Sequence, residues 1–252
     1  SSEWLTLKPS DGTLLGASGV INFSISREGL TAGDYDGVAT IASDGGSKEI
    51  TIRFRIDEDP QLVVQPLKIE LGTVAETAPI SITNTGNVLL SVEITVADSS
   101  LVVSNGAFEL LPGSEQEIDV SIDRADRIAG DYTASLSIVS AAGVSVIDVN
   151  YSIAVLSDFS FSPDRLDLGP SISDAILVIK NAGNADHEYS VNNRAEWIEI
   201  DKSSGTVAAY SDSELRLMVN RALYPAGDYS ATIEIGIDGQ IYQVPVSIEI
   251  VQ

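Results

Sequence analysis

Among the side chains able to carry chemistry, the chain has one histidine, no cysteine, and 37 acidic residues against 14 basic ones. Lack of thiols removes disulfides and thiolate sites together. His187 is the lone imidazole, and a zinc site needs further nitrogen or sulfur ligands that are missing here. Its counterpart one repeat earlier is Leu90, so it reads as a satisfied core or edge histidine. Paired carboxylates are the means of glycoside hydrolysis. No pair stands out from the many acids, so the expectation is no enzyme and no catalytic residue. Two constellations remain. Asp57, Glu58 and Asp59 crowd hard oxygen donors into one short stretch, which suits Ca2+. Trp4 and Trp197 lead the segments WLTLK and WIEID, where alternation pairs Leu5 with Leu7 and Ile198 with Ile200 and sends each indole to the opposite face. An exposed indole offers an apolar face with a polar N–H at its rim, a stacking platform for sugars.

Each candidate has a competing reading. A solvated acidic surface is the favoured reading of the acids at 57–59, since the second joint offers only Asp158 and no D-x-D-x-D-G loop occurs. Each Trp also suits packing beneath a loop or against a neighbouring unit.

The elements that position these residues repeat. The tetrapeptide AGDY occurs at 32–35, 129–132 and 226–229, with 129 − 32 = 97 and 226 − 129 = 97. Arg27, Arg124 and Arg221 keep the same step, as do Leu71-Gly72 with Leu168-Gly169 and Asn84-x-Gly86-Asn87 with Asn181-x-Gly183-Asn184. A fixed long period signals tandem structural units. The expected domains are a partial unit at 1–57, holding only C-terminal strands, and complete units at 61–155 and 158–252.

Within each unit the apolar residues alternate. Tyr132, Ala134, Leu136 and Ile138 match Tyr229, Ala231, Ile233 and Ile235, with polar residues between them. Period-2 spacing means strands with one buried face. The runs at 118–122, 147–153, 78–82 and 88–94 behave likewise, and NTGN and NAGN read as tight turns in which Asn and Gly accept positive φ. About seven short strands in just under 100 residues indicate an all-β fold of tandem immunoglobulin-like β-sandwiches, the first N-terminally incomplete. The Tyr of AGDY reads as a tyrosine corner. The joints DEDPQ and VLSDF are too short for flexible linkers and predict a semi-rigid rod.

A net charge of −23 repels phosphate backbones and anionic lipid, so neither nucleic acid nor a membrane surface is an expected partner. No run of 18 apolar residues offers a membrane span.

The segments EWLTLKPSDGTLLGASGVINFSISREGLTAGDY and EWIEIDKSSGTVAAYSDSELRLMVNRALYPAGDY, each a Trp-led strand, a Ser/Gly loop, an Arg-ended strand and a G-x-Y strand, resemble BACON-type bacterial immunoglobulin-like modules. The Asn-x-Gly-Asn turns are similar to those of ASH-type repeats. The resemblance implies an extracellular or cell-surface bacterial protein whose modules serve either as spacers or in carbohydrate or mucin binding. The expected function is a non-catalytic stalk or interaction module, with neighbouring domains of a longer chain as partners. Its alternatives are a glycan-binding module using Trp4 and Trp197, and a polymer subunit that self-associates by completing its first unit with donor strands. No cofactor is expected beyond Ca2+ at the 57–61 joint.

Overall fold

Alternating patterns of this kind bury one side chain in two, and in the computed structural model, which describes residues 3–16, 18–222 and 224–251, they produce strands throughout and no helix among the described residues. In the middle repeat a five-stranded sheet runs in the order Ala107–Leu110, Leu90–Val96, Gly130–Ser140, Gly143–Ile153 and Lys68–Gly72. A four-stranded sheet of Leu62–Gln65, Thr77–Asn84, Glu115–Ile122 and Leu101–Val103 faces the same core. The last repeat has the same two sheets in the same order: Ser204–Val207, His187–Asn193, Gly227–Ile237, Gln240–Ile250 and Leu166–Asp167 in one, Phe159–Ser162, Asp174–Asn181, Ser211–Val219 and Ile198–Ile200 in the other. The strands beyond the expected seven are short edge pieces such as Ala107–Leu110, too brief for alternation to mark them.

The core is aliphatic. Ile80, Ile82, Val120, Ile138, Ile147 and Val149 in the middle repeat, and Leu177, Ile179, Leu215, Leu217, Ile233 and Ile235 in the last, are fully buried. Each such side chain contributes about 1.5–3 kcal/mol of transfer free energy. In the first repeat, Leu5–Lys8 pairs with Asn22–Ile25, and Gly33–Ser43 with Gly46–Ile56. There the residues equivalent to core positions elsewhere, such as Phe23 and Ile25, are exposed.

By packing, the chain divides into two compact units. One holds the residues up to Asp123 together with Thr133–Asn150, the other Arg124–Tyr132 together with the residues from Tyr151 onward.

AGDY has the same geometry at each of its three occurrences. Its glycines, Gly33, Gly130 and Gly227, have φ of 149°, 152° and 152°, in a region that L side chains rarely enter. The tyrosine that follows donates its hydroxyl hydrogen to the main-chain carbonyl four residues upstream: Tyr35 to Thr31 at 2.8 Å, Tyr132 to Ile128 at 2.8 Å and Tyr229 to Pro225 at 3.0 Å. This is the tyrosine corner expected from the sequence, and it fixes the loop that enters each late strand. Removing one such hydroxyl by Tyr229→Phe is expected to lower stability by about 0.5–1.5 kcal/mol, the ordinary net worth of one hydrogen bond. Urea denaturation measures it, and an unshifted midpoint would remove the corner's structural role.

Candidate functional site: the joints between repeats

A main chain running out of one repeat and into the next leaves its sheet ladder, so its N–H and C=O groups need other partners. At both joints the partner is the last Asn of an Asn-x-Gly-Asn turn. Asn87 donates its side-chain N–H to the carbonyl of Asp57 at 3.0 Å and accepts at Oδ1 the N–H of Asp59 at 2.8 Å. Its own main-chain N–H donates to the carbonyl of Asp59 at 3.2 Å, and its carbonyl accepts the N–H of Ala32, the Ala of AGDY, at 2.9 Å. Asn184 makes the same set: its side chain bonds the carbonyl of Ala154 at 3.0 Å and the N–H of Leu156 at 2.7 Å. Its main chain bonds the carbonyl of Leu156 at 3.0 Å and the N–H of Ala129 at 2.8 Å.

The first Asn of each turn braces it from within. Asn84 is fully buried; its amide donates to the carbonyls of Val88 and Leu110 at 2.8 and 2.9 Å and accepts the N–H of Gly86 at 3.0 Å. Asn181 does the same with Ala185, Ala208 and Gly183 at 2.8, 2.9 and 2.9 Å.

The glycine between them is required for space and not for φ. Positive φ was expected in these turns, but none of their residues has it. A Cβ on Gly86 would stand 2.3 Å from the carbonyl oxygen of Asp59, and one on Gly183 2.1 Å from that of Leu156. The joint backbone crosses the bare Cα at a distance no side chain permits.

The three acids proposed as calcium ligands lie at the first joint, but their main chain and not their carboxylates makes the structure there. Asp57 and Asp59 supply the backbone groups that Asn87 holds. The Asp57 carboxylate faces Arg55 at 3.6 Å, the Asp59 carboxylate accepts from Gln61 Nε2 at 3.1 Å, and Glu58 is exposed. Among the described residues no three acidic, His or Cys side chains gather as a metal-binding group.

The indoles are placed differently from the expectation of exposure. Trp197 is 6% exposed and belongs to the core of the last repeat, with its neighbour Ile198 at 5%. Trp4 is half-buried, edge-on to Phe54 at 4.9 Å and to Tyr35 at 6.4 Å, and it fills the space over Gly37. The alternation does not reach either Trp, because each lies in the turn before its strand, so two successive side chains can enter the core. The carbonyl at this position is a fixed anchor in every repeat: Trp4, Ser100 and Trp197 accept from Ser26, Asp123 and Asn220 at 2.9, 2.8 and 3.0 Å.

His187 is buried beside the second joint. Its Nδ1 meets Asp238 Oδ2 at 2.7 Å, and its Nε2 is 3.5 Å from Ser157 Oγ. Hydroxyl, imidazole and carboxylate in a row suggest a nucleophile and its base, yet the contact to Nε2 is longer than proton transfer asks. Ser157 Oγ also donates to the same Asp238 oxygen at 3.3 Å. The group reads as a satisfied histidine. Two carboxyls have displaced pKa values: the Arg216 guanidinium, hydrogen-bonded to Asp174, and Lys68, hydrogen-bonded to Glu70, hold these exposed groups below their usual range. A general acid at neutral pH needs the opposite displacement.

Residues 158–249 match the family described as the viral BACON domain, so the resemblance read from the Trp-led strand and the G-x-Y strand holds over the last repeat. No curated protein matches the chain. Among solved structures, a protein of unknown function from Porphyromonas gingivalis is 18% identical, with 75% of this chain and 99% of that chain covered and a TM-score of 0.33. The chaperone–tip adhesion subunit pre-assembly complex of archaic chaperone-usher Csu pili from Acinetobacter baumannii is 12% identical, covering 61% and 89% at a TM-score of 0.34. A human ASH/PapD-like domain is 10% identical, covering 37% and 85% at 0.32. Scores this low bear on neither function nor partner.

Replacing Trp197 with Ala is expected to cost about 3–5 kcal/mol, the range for emptying a core position of a large aromatic, measured by chemical denaturation. Gly183→Ala should move the joint: the amides of Ala129 and Leu156 are expected to exchange faster with solvent, while those of Ile233 and Ile235 in the core keep their rates. Unchanged exchange at Ala129 would mean that the close crossing at Gly183 does not hold the joint.

Proposed function

We propose that the chain is a non-catalytic spacer module, in which each sandwich is fastened to the next by an Asn-x-Gly-Asn turn, and that it holds neighbouring domains apart on an exposed surface. The observation that carries this reading is the repetition of the fastening: at both joints every main-chain and side-chain polar group of one Asn takes part. A linker whose only task were tethering needs no such bonds, and a flexible one would not tolerate them. Support also comes from what surrounds the joints. The recurring features of the chain are turns, corners and anchors, and the displaced carboxylates pair with cations on the surface.

The family that residues 158–249 match is described as viral, where the sequence resemblance implied a bacterial source. Trp197, packed into the core, offers no ring face to a sugar, and Trp4 is half-buried.

The test uses the cysteine-free background. Spin labels attached at Glu117→Cys and Glu199→Cys, both exposed positions, report the distance between the middle and last repeats by pulsed dipolar spectroscopy. A single narrow distribution, broadened by Asn184→Ala, is the expected result. A broad distribution in the parent chain would show repeats that move independently and would end the spacer reading.

A further inference from the structure

The donor surface that receives an Asn-x-Gly-Asn turn occurs three times in this chain, and the structure shows it occupied twice. We infer that the Ala226–Tyr229 corner of the last repeat is a docking surface for the Asn-x-Gly-Asn turn of another β-sandwich module of this kind. This inference rests on the joint reading above and names its partner.

The corner is built like the other two. Gly227 has φ 152°, against 149° and 152° at Gly33 and Gly130, and Tyr229 closes on the Pro225 carbonyl as Tyr35 and Tyr132 close on theirs. The Ala N–H is thus presented from the same backbone in each case. What differs is its acceptor. Ala32 N–H donates to Asn87 and Ala129 N–H to Asn184, and both alanines are half-buried. Ala226 is exposed, and its N–H meets no acceptor among the described residues.

The second contact point has a counterpart in the period. Val251 stands one period after Ala154 and two after Asp57, the two residues whose carbonyls accept the Asn side chain. Val251 is exposed at 59%. The occupant follows from the two filled copies. The contacts call for a carbonyl acceptor and an amide donor from one residue, on a turn whose preceding glycine lets a main chain cross it. Among the described residues both turns of that kind already hold a joint, so the turn that meets this corner belongs to another module.

The test supplies the partner in register. A further copy of residues 156–252 is joined directly after Gln252, which keeps the period because 252 − 155 = 97. Amide hydrogen exchange is then read residue by residue. Exchange at Ala226 is expected to slow by about five- to tenfold, the factor that one hydrogen bond of ordinary net strength confers, and to approach that of Ala32 and Ala129. Changing Asn184 to Ala in the added copy alone should restore the fast rate at Ala226. Protected core amides in the added copy verify its fold, and an added copy of residues 59–155, carrying the Asn84–Asn87 turn, is a second probe in the same register. Unchanged exchange at Ala226 beside a folded added repeat overturns the inference, as does protection that survives the Asn184→Ala change. If Ala32 and Ala129 in the parent chain exchange as fast as Ala226, it is the joint reading itself that has failed.

Discussion

An extended main chain between two repeats has no sheet to accept its hydrogen bonds, and at each joint the amide of one asparagine takes the sheet's place. A primary amide suits this task because it presents a donor and an acceptor side by side, as a peptide group does. Asn87 and Asn184 therefore pair with the passing chain almost as a neighbouring strand would, binding a carbonyl on one side and an N–H two residues further on. Aspartate has the shape but no donor. Serine is too short to reach two groups.

The rest of the repeat can be understood as what keeps that amide and its targets in place. Asn84 and Asn181, buried and bonded to two carbonyls each, hold the turn rigid from its inner side. On the other side of the contact, the tyrosine corner and the glycine at φ near 150° hold the Ala N–H where the turn's carbonyl meets it. Arg221 secures the end of the last repeat's final strand, donating to the carbonyls of Glu249, Ile172 and Leu168. Its counterpart Arg27 instead lies over the Phe54 ring at 5.6 Å. Strand ends fray unless tied, and a joint built on a frayed end would transmit no order from one repeat to the next.

The sheets were legible in the sequence because alternation over eight or more residues has one physical cause, burial of one face, as in Glu115–Ile122 and Asp174–Asn181. The tyrosine corner was legible because its chemistry is local. The Trp residues were misplaced because alternation was carried one residue past the strand, into a turn where it no longer holds. The joint itself was hidden for a different reason. Asn-x-Gly-Asn is what a tight turn requires, and only the carbonyls of Asp59 and Leu156, far away in sequence, show that the glycine answers a crossing chain and not a positive φ. One signal was present: the turn, the AGDY corner and the joint keep a common period, which independent local turns have no reason to do.

The two joints also show which parts of the contact are free to vary. Pro60, Leu90 and Ala141 near the first joint stand where Ser157, His187 and Asp238 form a bonded group near the second. An apolar set has been exchanged for a polar one whose members satisfy each other, a change that leaves no buried group without a partner. Beneath it the asparagine and the corner alanine keep the same bonds within a few tenths of an ångström, and the glycine keeps its close approach to the joint carbonyl. Side chains around a joint can therefore be altered in concert, whereas the amide that stands in for a strand has no substitute among the other residue types of its length.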